Sequence, residues 1–404
     1  MPVVCLYFQV HQPCRLRHYS YFDINRVHTY EDGVTNRRLL NQAAEECYLP
    51  ANRVLLDRIR CHAGAFRIAF SLSVTLLEQL EKDRPDVLES YRDLADTGCV
   101  EFLNETSGHS LSFLFSPREF RRQVLLHRRK IRSLFHRVPT TFCQMGFIYN
   151  DHLVRVMEKM GCRAILAEGA ESILNERSPD CIYRPAGCRT LKLLLRNHSF
   201  SDELAFLFST QRHPEDAVPA KLLARRIHSL DADDAVINLL ISFERFGEHD
   251  WASSGVLEFL QDFPSEVLKD ARYRFQMPAE AVASHDPVEV LEAPEALRWT
   301  DQDKSLTAWL GNAMQKDAIQ SLYNLEDSVR RRHDRKSLKT WRMLQASDHF
   351  RFMGTKGSAD DDVHQSSSPY FSPYDAYINY MNILDDFSKK ISRTTANPQK
   401  EDDV

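Results

Sequence analysis

Short apolar runs alternate with longer amphipathic stretches over roughly the first 250 residues of the chain. The apolar runs are continuous rather than alternating, which is typical of strands that are buried on both faces of a parallel sheet. We predict seven such strands, at Val3–Val10, Phe66–Leu72, Cys99–Leu103, Thr140–Gln144, Arg163–Ala167, Leu191–Leu195 and Val236–Phe243.

The stretches between these strands repeat their apolar residues every three or four positions, which is the period of an amphipathic helix. Helices are predicted at Ala51–Arg60, Val74–Ala95, Pro117–Phe135, Asp151–Met160 and Pro219–His228. Strands that alternate with helices predict an α/β fold with a parallel sheet and right-handed crossovers. The pattern alone leaves two architectures, an open doubly wound sheet and a barrel of seven βα units.

The pattern changes after about residue 290, where strand signals become sparse. Helical spacing recurs at Leu306–Leu325, Ser337–Ala346 and Tyr374–Phe387. The polar, acidic stretch Gly357–Ser367 is predicted to be a loop, and Lys389–Val404 to be a solvated tail. We therefore expect a barrel domain over residues 1–290, a C-terminal α-helical region over 291–388 and a disordered tail over 389–404.

Composition and charge exclude several classes of protein. The 404 residues are 43% hydrophobic and 27% charged, which is ordinary for a globular chain. The net charge of −5 lacks the basic surplus of a nucleic-acid binder. No apolar run approaches the roughly 18 residues that span a bilayer. We therefore expect neither a nucleic-acid partner nor a membrane partner.

The nine cysteines are scattered and form no CxxC pair, which argues against a zinc ribbon or a thioredoxin-like motif. The apolar run Val3–Val10 has no basic leader and continues into His11 rather than into a small-residue cleavage site, so it indicates a buried strand. We expect reduced thiols and a cytoplasmic location.

Polar residues follow five of the predicted strands directly. In parallel βα folds the loops at the carboxyl ends of the strands converge on one opening, where ligands bind. The strand-end residues are His11, Glu101, Asn104, Glu105, His109, Gln144, Gly146, Tyr149, Asn150, Glu168, Ser242, Glu244, Glu248 and His249. A single glutamate at a strand end is more often a loop residue or half of an ion pair, but five polar strand ends together favour a ligand cleft.

The same segments resemble glycoside hydrolase family 57, and within it the α-amylase-like members. The resemblance covers nearly the whole chain and rests on FQVHQP (8–13), GCVEFL (98–103) with HSLS (109–112), FIYN (147–150), FGEH (246–249) with Trp251, TAWLGN (307–312) and QASDHF (345–350). The family implies a seven-fold (β/α) barrel, an incomplete TIM-like barrel, with a C-terminal helical region. It also implies cleavage or transfer of α-glucan by a retaining mechanism, for which we expect neither a cofactor nor a metal.

Two positions depart from the family pattern where catalysis needs carboxyl groups. Retaining hydrolysis uses one carboxylate as nucleophile and a second carboxyl as acid/base, about 5–5.5 Å apart. The resemblance places the family nucleophile at Gly146 and the family acid/base at Ser242. Glycine cannot form a glycosyl-enzyme, and a serine hydroxyl is too weak an acid near neutral pH. Glu244 lies two residues beyond Ser242, on the same side of a strand, and is the candidate for a displaced acid.

The remaining cleft positions carry residues of the kind that hold sugar hydroxyls or stack on sugar rings. The predicted substrate-binding residues are His11, Glu105, His109, Tyr149, Glu248, Trp309 and Asp348. Packing between helices is an equally good interpretation of Trp309. A structural hydrogen bond is the better interpretation of His349, beside Asp348.

Three functions follow from these residues. The leading prediction is a catalytically inactive or severely impaired protein of carbohydrate metabolism, which binds α-1,4-glucan or maltooligosaccharide or acts with a protein partner in glycogen or starch metabolism. The alternative is an active retaining hydrolase or transferase with relocated carboxylates, Glu244, Glu248 or Glu105. A third hypothesis is a metal-dependent deacylase or hydrolase, with Glu105 and His109 among the ligands, together with His11 and the Asp348–His349 pair.

Overall fold

A computed structural model of the chain describes residues 1–169, 174, 176–209, 220–230, 235–243, 255–293, 306–355 and 368–395. The predicted loop Gly357–Ser367 lies outside these residues.

Every predicted strand is present in the structure, with small shifts at the ends. The described strands are β1 (Val3–Val10), β2 (Ile68–Leu72), β3 (Val100–Phe102), β4 (Thr141–Cys143), β5 (Ala164–Glu168), β6 (Ile182–Pro185), β7 (Lys192–Arg196), β8 (Val236–Ser242), β9 (Arg274–Phe275) and β10 (Val290–Leu291). The seven predicted strands are β1 to β5, β7 and β8. The other three were not predicted; β9 and β10 have only two residues each.

The seven predicted strands close into a parallel barrel. β1 pairs in parallel with β2 and β8, β2 with β3, β4 with β5, β5 with β7, and β7 with β8. A parallel bridge between Asn104 and Phe142 joins the end of β3 to β4. There the Asn104 amide donates to the Thr141 carbonyl and the Cys143 amide donates to the Asn104 carbonyl, both at 2.8 Å. The seven-fold (β/α) barrel is confirmed, and the open sheet is excluded.

The described helices up to Ser284 lie between the strands as expected for βα units, and those from Thr307 onward form the C-terminal helical region. They are α1 (Gly33–Ala43), α2 (Leu49–Cys61), α3 (Val74–Asp83), α4 (Pro85–Asp96), α5 (Ser112–Phe115), α6 (Pro117–Phe135), α7 (Asp151–Lys159), α8 (His198–Ser209), α9 (Ala220–His228), α10 (Val256–Val267), α11 (Pro278–Ser284), α12 (Thr307–Leu310), α13 (Ala313–Asn324), α14 (Glu326–Arg331), α15 (Arg335–Met343), α16 (Ser347–Arg351) and α17 (Pro373–Thr395). A π-helical stretch, Ala44–Tyr48, joins α1 to α2, and 3-10 turns lie at Tyr21–Asp23 and Met145–Phe147.

One predicted helix is two helices. The prediction of a single helix over Val74–Ala95 is wrong, because the backbone leaves the helical region at Arg84 (φ −142°, ψ 65°). The following Pro85 disfavours helical dihedral angles at the preceding residue and starts α4 instead.

Strand alternation divides the barrel into two cores. Val4, Leu6 and Phe8 of β1 belong to the core that includes side chains of the surrounding helices. The alternate residues Val3, Cys5 and Tyr7 belong to a second core, inside the barrel, with inward side chains from the other strands. Residues of α11 join this inner core, and the Lys192 ammonium group donates to the carbonyl of Val282 in α11 at 2.8 Å.

Contacts divide the chain into two compact units. The first consists of residues 1–12, 37–107 and 122–304 and contains the barrel; the second consists of residues 13–36, 108–121 and 305–404 and contains the C-terminal helices. The C-terminal helical region expected from the sequence is therefore present. The boundary placed at residue 290 stays a prediction.

Within the second unit, α17 is anchored by Asp386, whose carboxylate accepts hydrogen bonds from the Tyr30 hydroxyl and the Asn25 amide, both at 2.6 Å. The prediction that the tail starts at Lys389 is wrong, since α17 continues to Thr395. Ile391 is buried there, and the Arg332 guanidinium donates to the carbonyls of residues 390 and 391.

None of the helices in the described ranges combines the length and the apolar character needed to cross a bilayer.

Candidate functional site

The carboxyl ends of the barrel strands carry polar side chains at one level. Gln9 of β1 pairs in register with Ser71 of β2 on one side and with Ser242 of β8 on the other. All three side chains point into the barrel, since each alternates with residues of the outer core. Ser242 is half-buried and is the last residue of β8, so it lies at a strand end.

His11 directly follows β1 and is buried. Its Nδ1 lies 2.7 Å from the Ser73 hydroxyl oxygen, and this oxygen also accepts a hydrogen bond from the Leu76 amide in the first turn of α3. The His11 ring is therefore held in a fixed position relative to α3.

Glu105 lies just beyond the bridge that joins β3 to β4, and its side chain is buried. The Ser71 hydroxyl donates to its Oε2 at 2.8 Å. Burial, and secondarily the nearby Glu105 carboxylate, raise the pKa of the Cys143 thiol, so this cysteine stays neutral. Glu105 is thus a positioned, buried carboxylate inside the barrel.

His127 of α6 is a buried residue that the sequence analysis missed. One ring nitrogen lies 3.0 Å from Asn104 Oδ1 and the other 2.9 Å from the Leu72 carbonyl oxygen. Burial lowers the pKa of His127, which favours the neutral ring. The sequence could have indicated it, because His127 lies between Val124 and Ile131 on the apolar face of α6. A histidine on such a face is buried and needs hydrogen-bond partners.

A buried ion pair joins the ends of β5 and β7. The Arg196 guanidinium is 0% exposed and lies 3.3 and 3.4 Å from the two carboxylate oxygens of Glu168. Arg196 also pairs with Asp202 of α8. Glu168 was predicted as a strand-end residue and Arg196 was not, although a charged residue directly after the apolar run Leu191–Leu195 is a usable signal.

The turn that follows β4 is left-handed. Gly146 has φ 60° and ψ 18°, and Phe147 after it has φ 52°. Phe147 is 0% exposed, and its side chain belongs to the inner core of the barrel. Its ring centroid is 6.4 Å from that of Tyr7. The structure therefore has a buried aromatic ring inside the barrel, directly after β4.

Tyr7 lies beneath this turn and was not identified from the sequence. Its side chain is 1% exposed, and its hydroxyl has no hydrogen-bond partner among the described residues. Burial raises the pKa of Tyr7 well above its usual value, with further effects from Cys143, Arg196 and Glu168. Tyr7 therefore stays protonated, as a hydroxyl that can donate a hydrogen bond.

Tyr149 is also buried, and its environment differs from that of Tyr7. Burial raises its pKa, with smaller contributions from Asp151 and Cys188. Its hydroxyl has no partner within the described ranges. The next residue, Asn150, caps α7 by accepting a hydrogen bond from the Leu153 amide at 2.7 Å.

Three predicted binding residues lie in the second unit. His109 has φ 50°, and its carbonyl accepts a hydrogen bond from the Ser347 amide at 3.1 Å. Trp309 is buried on α12, and Asp348 is half-buried on α16. His349 has the structural hydrogen bond that we expected, since its Nε2 lies 3.1 Å from the Met343 carbonyl oxygen.

Two of the predicted carboxylates, Glu244 and Glu248, lie outside the described residues. Among those that are described, no group of three or more histidine, cysteine, aspartate or glutamate side chains is placed to hold a metal ion. The metal-dependent hypothesis therefore has no site in this part of the chain.

A closed seven-stranded parallel barrel with polar residues at its carboxyl end defines the class, a (β/α)-barrel protein. The family model described as "Glycosyl hydrolase family 57" matches residues 5–294. A protein of Methanocaldococcus jannaschii named "Putative alpha-amylase" is 32% identical over 402 residues, which covers 96% of this chain and 85% of that protein. The chain therefore belongs to glycosyl hydrolase family 57.

Solved structures share the fold. A family 57 branching enzyme from Thermococcus kodakaraensis, crystallised with glucose, superposes with a TM-score of 0.74 at 14% identity, covering 99% of this chain and 92% of that one. An α-amylase from Thermotoga maritima gives a TM-score of 0.65 at 12% identity, with 98% of each chain covered. The 4-α-glucanotransferase of Thermococcus litoralis gives 0.60 at 14% identity, covering 87% of this chain and 50% of its own.

Proposed function

We propose that this α-amylase-like member of the family binds α-1,4-glucan or maltooligosaccharide and has lost retaining hydrolysis and transfer, or keeps them severely impaired. One observation carries the proposal. The sequence resemblance assigns the two catalytic carboxyls of the family to positions that carry Gly146 and Ser242 here. Neither residue can act as a glycosyl-accepting carboxylate or as an effective acid near neutral pH.

The expected loss of catalytic activity can be estimated from the contributions of the acid/base and the nucleophile. General acid–base assistance is commonly worth 10²- to 10⁴-fold, or roughly 3–5.5 kcal/mol of activation free energy. The missing nucleophile adds to this loss, because no covalent intermediate can form at Gly146. The Phe147 ring adds a further obstacle, since it occupies the interior beside that position. The retaining reaction should therefore be undetectable or nearly so.

Sugar binding is supported by the polar residues that the barrel keeps. His11 and Glu105 are each held by a serine hydroxyl, so their polar atoms are fixed before a ligand arrives. Fixed polar groups reduce the ordering cost of binding. We expect dissociation constants in the micromolar to millimolar range, about −8 to −4 kcal/mol.

The cellular setting is part of the same proposal. All nine cysteines are unpaired, which agrees with a reducing compartment. We place the protein in the cytoplasm, in α-glucan metabolism, where a glucan-binding protein without turnover would act together with a protein partner.

Two measurements on one preparation test the proposal. A reducing-sugar assay on soluble starch and maltooligosaccharides should show no release above buffer, and calorimetry with maltotetraose should show binding. The exposed-residue variant Glu89→Gln should behave like the wild type in both. Absence of binding at millimolar sugar would contradict the binding role.

An active enzyme with relocated carboxylates is the second candidate, and the buried, positioned carboxylate of Glu105 is the observation in its favour. Turnover that survives removal of contaminating amylase would establish it. Loss of that turnover in Glu105→Gln or in Glu244→Gln would then identify the carboxylate that is used.

A further inference from the structure

We propose that the exposed face of α6 is a docking surface for an acidic helix of a protein partner. The surface is the row formed by Arg122, Leu125, Arg129, Arg132 and His136, which we call the arginine row. The proposal rests on the proposed function only for the expectation of a protein partner and does not depend on sugar binding. It adds where the partner binds and which chemistry the partner carries.

The charge of α6 is the first argument. Its 19 residues include seven arginine and lysine residues and one acidic residue, a net charge of +6. The whole chain has a net charge of −5, so the rest of the chain carries −11. The acidic residue, Glu119, is fully buried and pairs with Arg330 and Arg342. No carboxylate of α6 is therefore left to neutralise its exposed arginines.

The basic residues in the middle of α6 form two groups that differ in their partners. Arg128 donates to a backbone carbonyl at the end of α7, and Lys130 pairs with a glutamate of α3, so these two hold the helix against its neighbours. Arg122, Arg129 and Arg132 are exposed and form no ion pair or side-chain hydrogen bond with any residue in the described ranges. Arg129 and Arg132 lie three residues apart, so their charges repel each other on the helix surface. An external anion would remove this repulsion.

The arginine row follows one side of the helix. Its successive positions are three, four, three and four residues apart, which is the spacing of neighbours on one helical face. At 1.5 Å per residue the row is about 21 Å long. The opposite face is apolar, and Ile131, Leu134 and Phe135 bury it in the outer core. Because α6 has no free apolar face, it cannot lie in a lipid surface as an amphipathic helix does.

The residue types in the row indicate carboxylates presented by a helix. A guanidinium group is planar and forms two parallel hydrogen bonds with one carboxylate. A second helix repeats its side chains at the same spacing, so its carboxylates can meet Arg122, Arg129 and Arg132 in register. Leu125, 38% exposed, lies between two of these arginines and offers an apolar contact within the row.

Nucleic acid fits the same surface less well. Its phosphates form a uniform polyanion, which has no apolar side chain to place against Leu125. A long polyanion would also extend beyond the row, over a chain whose remaining net charge is negative. An acidic helix that carries one apolar residue matches both the charge and the leucine of the row.

Fluorescence anisotropy with a labelled synthetic peptide tests this surface. The probe is a helix of roughly 20 residues with glutamates every three and four positions, one leucine between them and alanine elsewhere. The wild type should bind it with a micromolar dissociation constant at low salt, and more weakly as salt is added. A second probe of the same composition, with its glutamates spread around the helix, should bind at least about tenfold more weakly, because few of its carboxylates reach the row.

Charge reversal of the row tests its residues directly. Arg122→Glu, Arg129→Glu and Arg132→Glu combined should weaken binding of the glutamate probe by more than about tenfold. A third probe, with lysine in place of each glutamate, should bind this triple variant and not the wild type. If circular dichroism shows that the triple variant does not fold, glutamine at the same three positions replaces glutamate and should also weaken binding of the glutamate probe.

A matched control has the same change of net charge elsewhere on the barrel unit. It combines Arg38→Glu, Arg53→Glu and Arg60→Glu, at exposed positions of α1 and α2, and should bind the glutamate probe like the wild type. Equal weakening in both triple variants, or equal binding of the two glutamate probes, would overturn the docking surface. Tighter binding of a thymidine oligonucleotide or of phosphatidylserine vesicles than of the glutamate probe would overturn the choice of a protein partner.

Calorimetry with maltotetraose on the same proteins separates this surface from the proposed function. The wild type and both triple variants should bind the sugar equally, because the arginine row is on the exposed face of α6 and Glu105 is inside the barrel. Probe binding without sugar binding would reject the glucan role and support the arginine row. Sugar binding without probe binding would reject the arginine row alone.

Discussion

Glu101 gives the sharpest test of the structure, because ionisation of its buried carboxyl should lower the free energy of unfolding of the protein. It belongs to the GCVEFL segment, but its side chain lies on the opposite side of β3 from the outer core and bonds to α11 rather than to the cleft. The Ala279 amide donates to its Oε2 at 2.8 Å. Burial raises the pKa of Glu101 from 4.5 to about 7, with a smaller increase from Glu280. The carboxyl is therefore largely protonated below neutral pH.

The sign of the effect follows from proton linkage. Between pH 4.5 and pH 7 the folded protein holds a proton on Glu101 that the unfolded chain has released. The contribution of Glu101 to the free energy of unfolding is therefore greatest below about pH 4.5. It decreases as the pH rises to 7 and is constant at higher pH. The pKa shift of Glu101 corresponds to a change of at most roughly 3 kcal/mol in the free energy of unfolding. Partial exposure of the side chain reduces this change to about 1–3 kcal/mol.

Glu101→Gln should remove this penalty, since an amide cannot ionise and its oxygen can still accept from Ala279. We expect the variant to match the wild type near pH 4.5 and to exceed it by about 1–3 kcal/mol at pH 8, in urea unfolding followed by circular dichroism. Glu89→Gln, at an exposed position, serves as the control and should follow the wild type at every pH. A Glu101→Gln curve parallel to that of the wild type would refute the burial of a neutral carboxyl.

Three further predictions concern other parts of the molecule. Gly146→Glu combined with Ser242→Asp should give weak but measurable maltooligosaccharide hydrolysis. Either change alone should give far less, because nucleophile and acid act as a unit. A folded double variant with no product would show that more than two residues were lost. Glu119→Gln, at a fully buried carboxylate between two arginines, should destabilise the protein by about 3 kcal/mol in chemical unfolding, whereas a change below 1 kcal/mol would contradict the pairing. A thiol reagent should label the exposed Cys61 of the folded protein first, and Cys61→Ser should abolish that fast phase.

The barrel could be predicted from the sequence because its strands are buried on both faces. Such strands give continuous apolar runs, and all seven are present as β1 to β5, β7 and β8. The helix preceding α2 was not predicted, since the first helix was placed at Ala51–Arg60. The structure accommodates Pro50 in the first turn of α2, after the π-helical stretch Ala44–Tyr48, so the helical path begins at Gly33.

The site could be predicted only in part. Position along the chain identifies a strand end, and His11, Glu105 and Ser242 do lie at such ends. The partners of these residues are set by tertiary packing. Glu168 and Arg196 lie on different strands and meet because β5 and β7 pair in register, which no local pattern reports. The left-handed turn at Gly146 is equally invisible, because glycine is compatible with either sign of φ.

Gly146, which the sequence resemblance assigns to the family nucleophile position, and the buried Phe147 ring belong to one left-handed turn. Gly146 permits a φ of 60°, and the turn built on it directs the next side chain into the barrel. A glutamate at position 146 would have to adopt the same left-handed angles, at a cost of about 1–2 kcal/mol, or move the turn and withdraw Phe147. Ser242 differs, since it ends a regular strand whose backbone suits any side chain. Recovery of catalysis is therefore limited by the backbone after β4, and we expect a variant that also replaces Phe147 to recover more activity than the two carboxyls alone.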